Sequence, residues 1–202
     1  MTPSKISFLL LIGLAVTVQC FCQNVVVNAF IENKKTKPDN DTIYYDFGRN
    51  LTWQDFRGRP DNNHFGGAVT ASGFAFDCQM DFDGKNMYLR IGVFAFFCKN
   101  ESWKKPQINS AYHLLHEQHH FDIARLGSQK LIAELSKAHF TTKNYAALLT
   151  SIFDKVYQEN QSIQFQYDRQ TNHSLDLKKQ LEWNDRIDAE IQALKKSIAL
   201  KN

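Results

Sequence analysis

The sequence predicts an α+β fold, with an antiparallel β-sheet from the first half of the chain and helices from the second. Three observations carry that prediction. Short β-branched and aromatic runs between turn-formers fill residues 24–97, and the pattern turns helical past Pro106. Hydrophobic residues make up 43% of 202 residues, with 16 Phe and 7 Tyr, enough for one well-filled core and far from a disordered composition.

The N-terminus, MTPSKISFLLLIGLAVTVQCFCQ, places one Lys ahead of an apolar run from Ile6 to Val18 and then small residues, the pattern of a secretory signal peptide. Cleavage after Cys22 gives a 1–22 leader and a mature domain over 23–202. The alternative is a lipoprotein acylated on Cys20 or Cys22, although Gln19 and Phe21 suit that processing poorly. The apolar run falls short of the ~20 residues a membrane-spanning helix needs, so the mature chain is expected to be exported, periplasmic or secreted, without a transmembrane segment. Its two remaining cysteines, Cys78 and Cys98, form an even pair in an oxidising compartment and are expected to join in a disulfide.

Strands are expected at Asn24 to Ile31, Thr42 to Phe47, Ala68 to Phe76 and Met87 to Phe97, with a tight turn at Asp83-Gly84 between the last two. In that hairpin Cys78 would face a residue near position 89, so the disulfide needs a bend or another register. The segment Gly58 to Gly67 reads as a loop. A first helix, capped by Asn109 or Ser110, is expected to run to about Lys137, with Gly127 as a point of kinking or early termination. A second helix spans about Thr142 to Gln158. The last, about Leu175 to Leu200, carries Ile187, Ile191, Leu194 and Ile198 as one apolar stripe, read as packing on the domain in preference to a dimer seam.

The run HEQHH on the first helix carries the chemistry. His116 and His120 are four residues apart, so both imidazoles leave one face and can take two positions on one Zn²⁺. Glu117 follows the first ligand and is placed to reach water at the metal as a general base. His119 lies a hundred degrees round the helix from His120 and reads as a surface or outer residue; His113 shares the metal face one turn earlier and reads as outer shell. A third ligand from the usual downstream extensions is missing, because Ile123 and Leu126 stand where Gly and a third His would be needed and Phe140 where a Glu would be. The candidates are His139, Asp154, Glu159, Asp168 and His173, the last in a compact polar run, YDRQTNHS, read as a loop between helices. The charge of +3 comes from 24 basic and 21 acidic residues that are interspersed, with no basic stripe to follow a phosphate backbone, which excludes nucleic acid as a partner.

LTWQDFRGRPD at 51–61, HEQHHFDIA at 116–124 and YDRQTNHSLDLKKQLEW at 167–183 together resemble a bacterial family of unknown function, predicted to be secreted zinc-dependent proteases. The more specific elements are HExxHFDI, completed here by Phe121, Asp122 and Ile123, and YDxxTxH, matched at Tyr167, Asp168, Thr171 and His173. The resemblance implies a zincin-like, metallopeptidase fold and makes His173 the preferred third ligand. Ser174 departs from the pattern where Gly is expected, which touches loop geometry and not chemistry. Asp122 is a candidate to orient a ligating imidazole, and Tyr167 a candidate hydrogen-bond donor to a developing oxyanion. Trp53, Asp55 and Phe56 read as a strand end and turn. The expected function is hydrolysis of a peptide or protein substrate, a cell-wall peptide included, by Zn²⁺ on His116, His120 and His173 with Glu117 as base. A non-enzymatic envelope or secreted binding protein with a structural or vestigial zinc site is the alternative, and Glu117 argues against it, since a structural site has no need of a carboxylate beside its metal.

Overall fold

The computed structural model describes residues 24–37 and 40–200; the expected leader, with its cleavage point, lies outside them. The sheet is organised around one long strand, β5 (Asn86–Cys98), where residues such as Leu89, Ile91, Val93 and Phe97 are fully buried. One edge of β5 is occupied by β4 (Ser72–Phe82), antiparallel through the Asp83-Gly84 turn, where Gly84 takes the left-handed φ of 90° that such a turn requires. The other edge is shared end to end. First β1 (Asn24–Ile31) pairs with Asn86–Val93, then β2 (Thr42–Tyr44) pairs with Phe96–Cys98.

Two expectations are corrected by this register. The sheet is mixed, because β1 runs parallel to β5 while β2 and β4 run antiparallel. Parallel neighbours need a crossover, and the long stretch of chain between β1 and β5 supplies it; an apolar β-branched run marks a strand without naming its partner. The cysteines are free. Cys78 stands level with Ile91, seven residues before Cys98 on β5. At about 3.3 Å per residue that is roughly 23 Å, well beyond the reach of a disulfide.

Before β4, Trp53–Asp55 form one 3-10 turn, closed by Asp55 accepting from the Thr52 amide and hydroxyl, and Phe56 then buries its ring against Phe97. Gly58 follows with its amide on the Ser102 carbonyl, and a Cβ there would meet the Asn100 carbonyl oxygen at 2.7 Å. The short β3 (Ala68–Val69) pairs with β6 (Trp103–Lys104) and sits beside the start of the first helix.

That helix, α1 (Ala111–Lys137), is N-capped by the Ser110 hydroxyl accepting from the His113 amide, as the sequence predicts. It is the central element. Phe121, Leu131 and Leu135 face the sheet in the main core, and Ile123 belongs to a second core with Tyr167, Trp183 and Ile187. Every residue from His116 to Arg125 is therefore buried. Gly127 neither kinks nor ends the helix; a Cβ there would meet both the Phe74 ring and the Asn160 amide at 2.6 Å, so its bareness lets strand and helices close on α1.

The second helix, α2 (Tyr145–Thr171), starts three residues later and ends thirteen later than the sequence predicts. The polar run YDRQ is its last turn, not a loop. Its buried line, Val156, Asn160, Tyr167 and Thr171, includes too few apolar residues to reveal the helix by hydrophobic period. The helix ends where Asn172, His173 and Ser174 all take left-handed φ values of 49°, 52° and 69°. Glycine would adopt these angles at no steric cost, which accounts for the departure at Ser174 being felt in the loop. Tyr112 pins this corner by donating to the Ser174 carbonyl at 2.6 Å. The third helix, α3 (Leu177–Ala199), is capped by Asp176 and lays Trp183, Ile187 and Leu194 on the domain.

Candidate metal centre

His116 and His120 leave α1 on one face, with ring centroids 5.0 Å apart. Asp168 comes to them from the last turn of α2, and its Oδ1 lies 3.1 Å from the Nε2 of each. Among the described residues these three form the set of His, Cys, Asp and Glu side chains whose ligand atoms all lie within 4.8 Å of one another.

The imidazoles are fixed from behind. Gln164 donates its amide to the His120 carbonyl at 2.9 Å, so its Oε1 is the atom 2.6 Å from His120 Nδ1. Gln180 donates to the Tyr167 and Asn184 oxygens, so its Oε1 is the atom 2.8 Å from His116 Nδ1. Each Nδ1 must then carry a proton, and a ring without a second proton offers its Nε2 lone pair toward Asp168. Two lone pairs and a carboxylate oxygen meeting at one point repel unless a positive charge lies among them. The 3.1 Å edges also suit a cation, since bonds of ~2.0–2.1 Å in a tetrahedron set donors roughly 3.3 Å apart. The donor set fits zinc.

Electrostatics point the same way in the protein without metal. His120 is pushed up to about 9: burial lowers its pKa, but the Asp168 hydrogen bond and charge outweigh it. Asp168 is held well below the usual carboxylate range, burial being overcome by hydrogen bonds from His116 and His120. The site holds positive charge, as protons or as a metal, in the same place.

Glu117 stands on the adjacent side of the helix, 5% exposed, with its Oε2 accepting from the Thr70 hydroxyl at 2.7 Å. It lines a cleft of about 300 Å³ with Thr70, His64, His120, Asp168 and His173. His173, the ligand expected from the resemblance, faces this cleft from the corner after α2, with its Nδ1 3.4 Å from Asp168 Oδ1. Its left-handed backbone turns it toward the loop residue Phe65, 5.5 Å away between ring centroids.

The remaining expectations divide. Tyr167 is fully buried and does not line the cleft; its ring stacks on His116 at 4.6 Å and its hydroxyl donates to the His116 carbonyl while accepting from Gln180. Burial pushes its pKa above the ordinary range. It props the His116 ring, and its buried hydroxyl is turned to a backbone carbonyl, not to the cleft of the expected oxyanion role. Asp122 orients His119, not a cluster residue, at 3.0 Å, and also accepts from Gln118 and Tyr45. His119 is fully buried, against the surface reading. His113 stays at the helix start on Ser110. Glu159 pairs with Lys130, outside the cluster, and His139 and Asp154 are likewise apart from it.

Three side chains escaped the sequence: Thr70, Gln164 and Gln180. Gln164 had a signal, because it precedes Asp168 by four and shares its face once α2 is extended. Residues 101–174 match the model of a family described as bacterial protein of unknown function (DUF922). The span contains the cluster and Glu117 but neither Thr70 nor Gln180. No curated protein and no solved structure matches the chain.

Proposed function

We propose that the chain is an exported zinc-dependent hydrolase of peptide bonds, with the metal on His116, His120 and Asp168 and with His173 beside Asp168 at the cleft wall. The observation that carries this reading is the pair of histidines whose Nδ1 protons are committed to glutamines, leaving two Nε2 lone pairs and one carboxylate aimed together. A zinc ion held there supplies Lewis acidity and makes water acidic near neutral pH. Thr70 holds Glu117 by Oε2 and leaves Oε1 to take a proton from the attacking water and pass it to the departing amine. The Gln164 and Gln180 bonds keep the imidazoles oriented and basic. Beside Glu117, β3 is paired with β6 along one edge, and its other edge can receive an extended peptide as an added strand. No helix among the described residues is long and apolar enough to cross a membrane, in keeping with a substrate met outside the bilayer.

The test is digestion of a mixed peptide library and of cell-wall peptides by the zinc-loaded protein and by Glu117→Gln. Cleavage by the first and none by the second, at equal zinc content, supports the reading. Full zinc occupancy with no cleavage of either substrate by the native protein would favour a structural site instead.

A further inference from the structure

A groove of about 1020 Å³ shares no lining residue with the metal cleft. It lies where the segment after β1 and the segment after β2 meet α1, and Arg125 belongs to its lining. Arg125 is 3% exposed, yet its polar partner is a neutral one, the Ser128 hydroxyl at 3.1 Å from Nη1. No described carboxylate lies within ion-pair distance of it. The groove is otherwise lined by aromatic and aliphatic side chains, with the Phe47 ring centroid 5.5 Å from the guanidinium, and by polar ones including Lys35, Gln129 and Asp46, whose carboxylate accepts from the Gly48 amide.

A guanidinium withdrawn from water without a counter-charge is costly, and proteins normally pair it. The cost shows in the pKa, which burial lowers to about 10. The other cations of the groove cannot relieve it and are mostly neutralised: Lys34 is held by Asp77, and Arg49 bonds Asp55 at 2.8 Å. Arg49 nevertheless has its buried Nη1 without an acceptor. One guanidinium of the groove, Arg49, is thus short of an acceptor oxygen, and the other, Arg125, of a counter-charge.

We propose that this groove binds an organic carboxylate with an aromatic or apolar body, its carboxylate on Arg125 and its body against Tyr44, Phe47 and Ile198. Arg125 is the buried cation of the groove, Lys35 being exposed, and the single charge of Arg125 balances that of a carboxylate, where a phosphate near neutral pH brings closer to two. With Nη1 engaged by Ser128, the free edge of the fork suits two carboxylate oxygens side by side. The site is independent of the hydrolase reading and stands or falls without it.

The test is thermal unfolding and calorimetric titration of the full chain in chelator, so that no metal contributes, with benzoate, its neutral isostere benzamide, and inorganic phosphate at matched ionic strength. Benzoate is expected to bind and raise the thermal midpoint, benzamide to do neither, and phosphate to bind at least about tenfold more weakly. Arg125→Met is expected to fold at least as stably as the native chain, because it removes an unpaired buried charge, and to lose the benzoate effect. Should that variant not fold, Arg125→Lys keeps the charge without the fork and is expected to bind benzoate at least about tenfold more weakly. Equal binding of benzoate and benzamide, a preference for phosphate, no benzoate binding, or undiminished binding by whichever variant folds overturns the proposal.

Discussion

Two histidine environments on the same helix, one turn or less apart, share burial and a carboxylate neighbour yet differ in what their second nitrogens face. On the cleft side His116 and His120 carry glutamine oxygens on Nδ1 and turn their Nε2 atoms toward a shared carboxylate. On the core side His119 gives Nδ1 to Asp122, and its Nε2 is buried without a partner. Both have a carboxylate at hand. What separates them is convergence and access: three donors meet beside a cleft in the first case, and one imidazole faces packed core in the second. A buried His–Asp pair is therefore not a metal site until other donors aim at the same point.

The difference can be broken most severely at Glu117. Replacing it with Gln keeps the shape and the Thr70 contact while removing the base, and peptide cleavage, read as kcat/KM, should fall by ~10²–10⁴ with zinc content unchanged. Next comes the carboxylate of the cluster. Asp168→Ala should weaken zinc by more than the ~10–100-fold that loss of an orienting partner costs, and His173→Ala by less, both read by chelator competition. The reverse order would return the third ligand to His173. Gln164→Leu and Gln180→Leu free the Nδ1 protons and should each lower zinc affinity by ~10–100-fold.

Acidity sharpens the comparison further. His120 has a raised pKa in the metal-free protein, so its stabilising contribution is complete below the unfolded value of about 6.5 and is lost as pH climbs through about 9. The metal-free thermal midpoint should fall across that window. Asp168, with its pKa depressed, contributes above the ordinary carboxylate value and fails only as acid protonates it. Because zinc competes with the His120 proton, zinc affinity should rise over the same range, and the zinc-loaded protein should show no such loss of stability. The smallest functional effect belongs to the core side. His119→Leu strips Asp122 of one partner and should cost about 1–3 kcal/mol in chemical denaturation, with zinc affinity unchanged.

The sequence makes α1 legible almost to the residue, because Ser110 caps it and its histidine spacing depends only on the helical period. It also brings Asp168 into a short set of candidates. It misses the length of α2, since the residues that α2 brings to the site, Gln164 and Asp168, are polar and interrupt the hydrophobic repeat that marks a helix. Parallel pairing of β1 is settled by long-range register, which no local pattern encodes, whereas the Asp83-Gly84 turn already places Cys78 near position 89 and apart from Cys98. Tyr167 is misread for a related reason: a tyrosine near a zinc motif looks alike whether its hydroxyl faces a cleft or, as here, a backbone carbonyl in the core.

The most direct measurement is zinc affinity of the full chain compared with His116→Ala and His119→Ala, by competition with a chromophoric chelator. The geometry predicts one zinc per chain in the native protein and in His119→Ala, and its loss in His116→Ala. Retention by His116→Ala, or loss by His119→Ala while that variant remains folded, would contradict the placement of the metal on the cleft side of the helix.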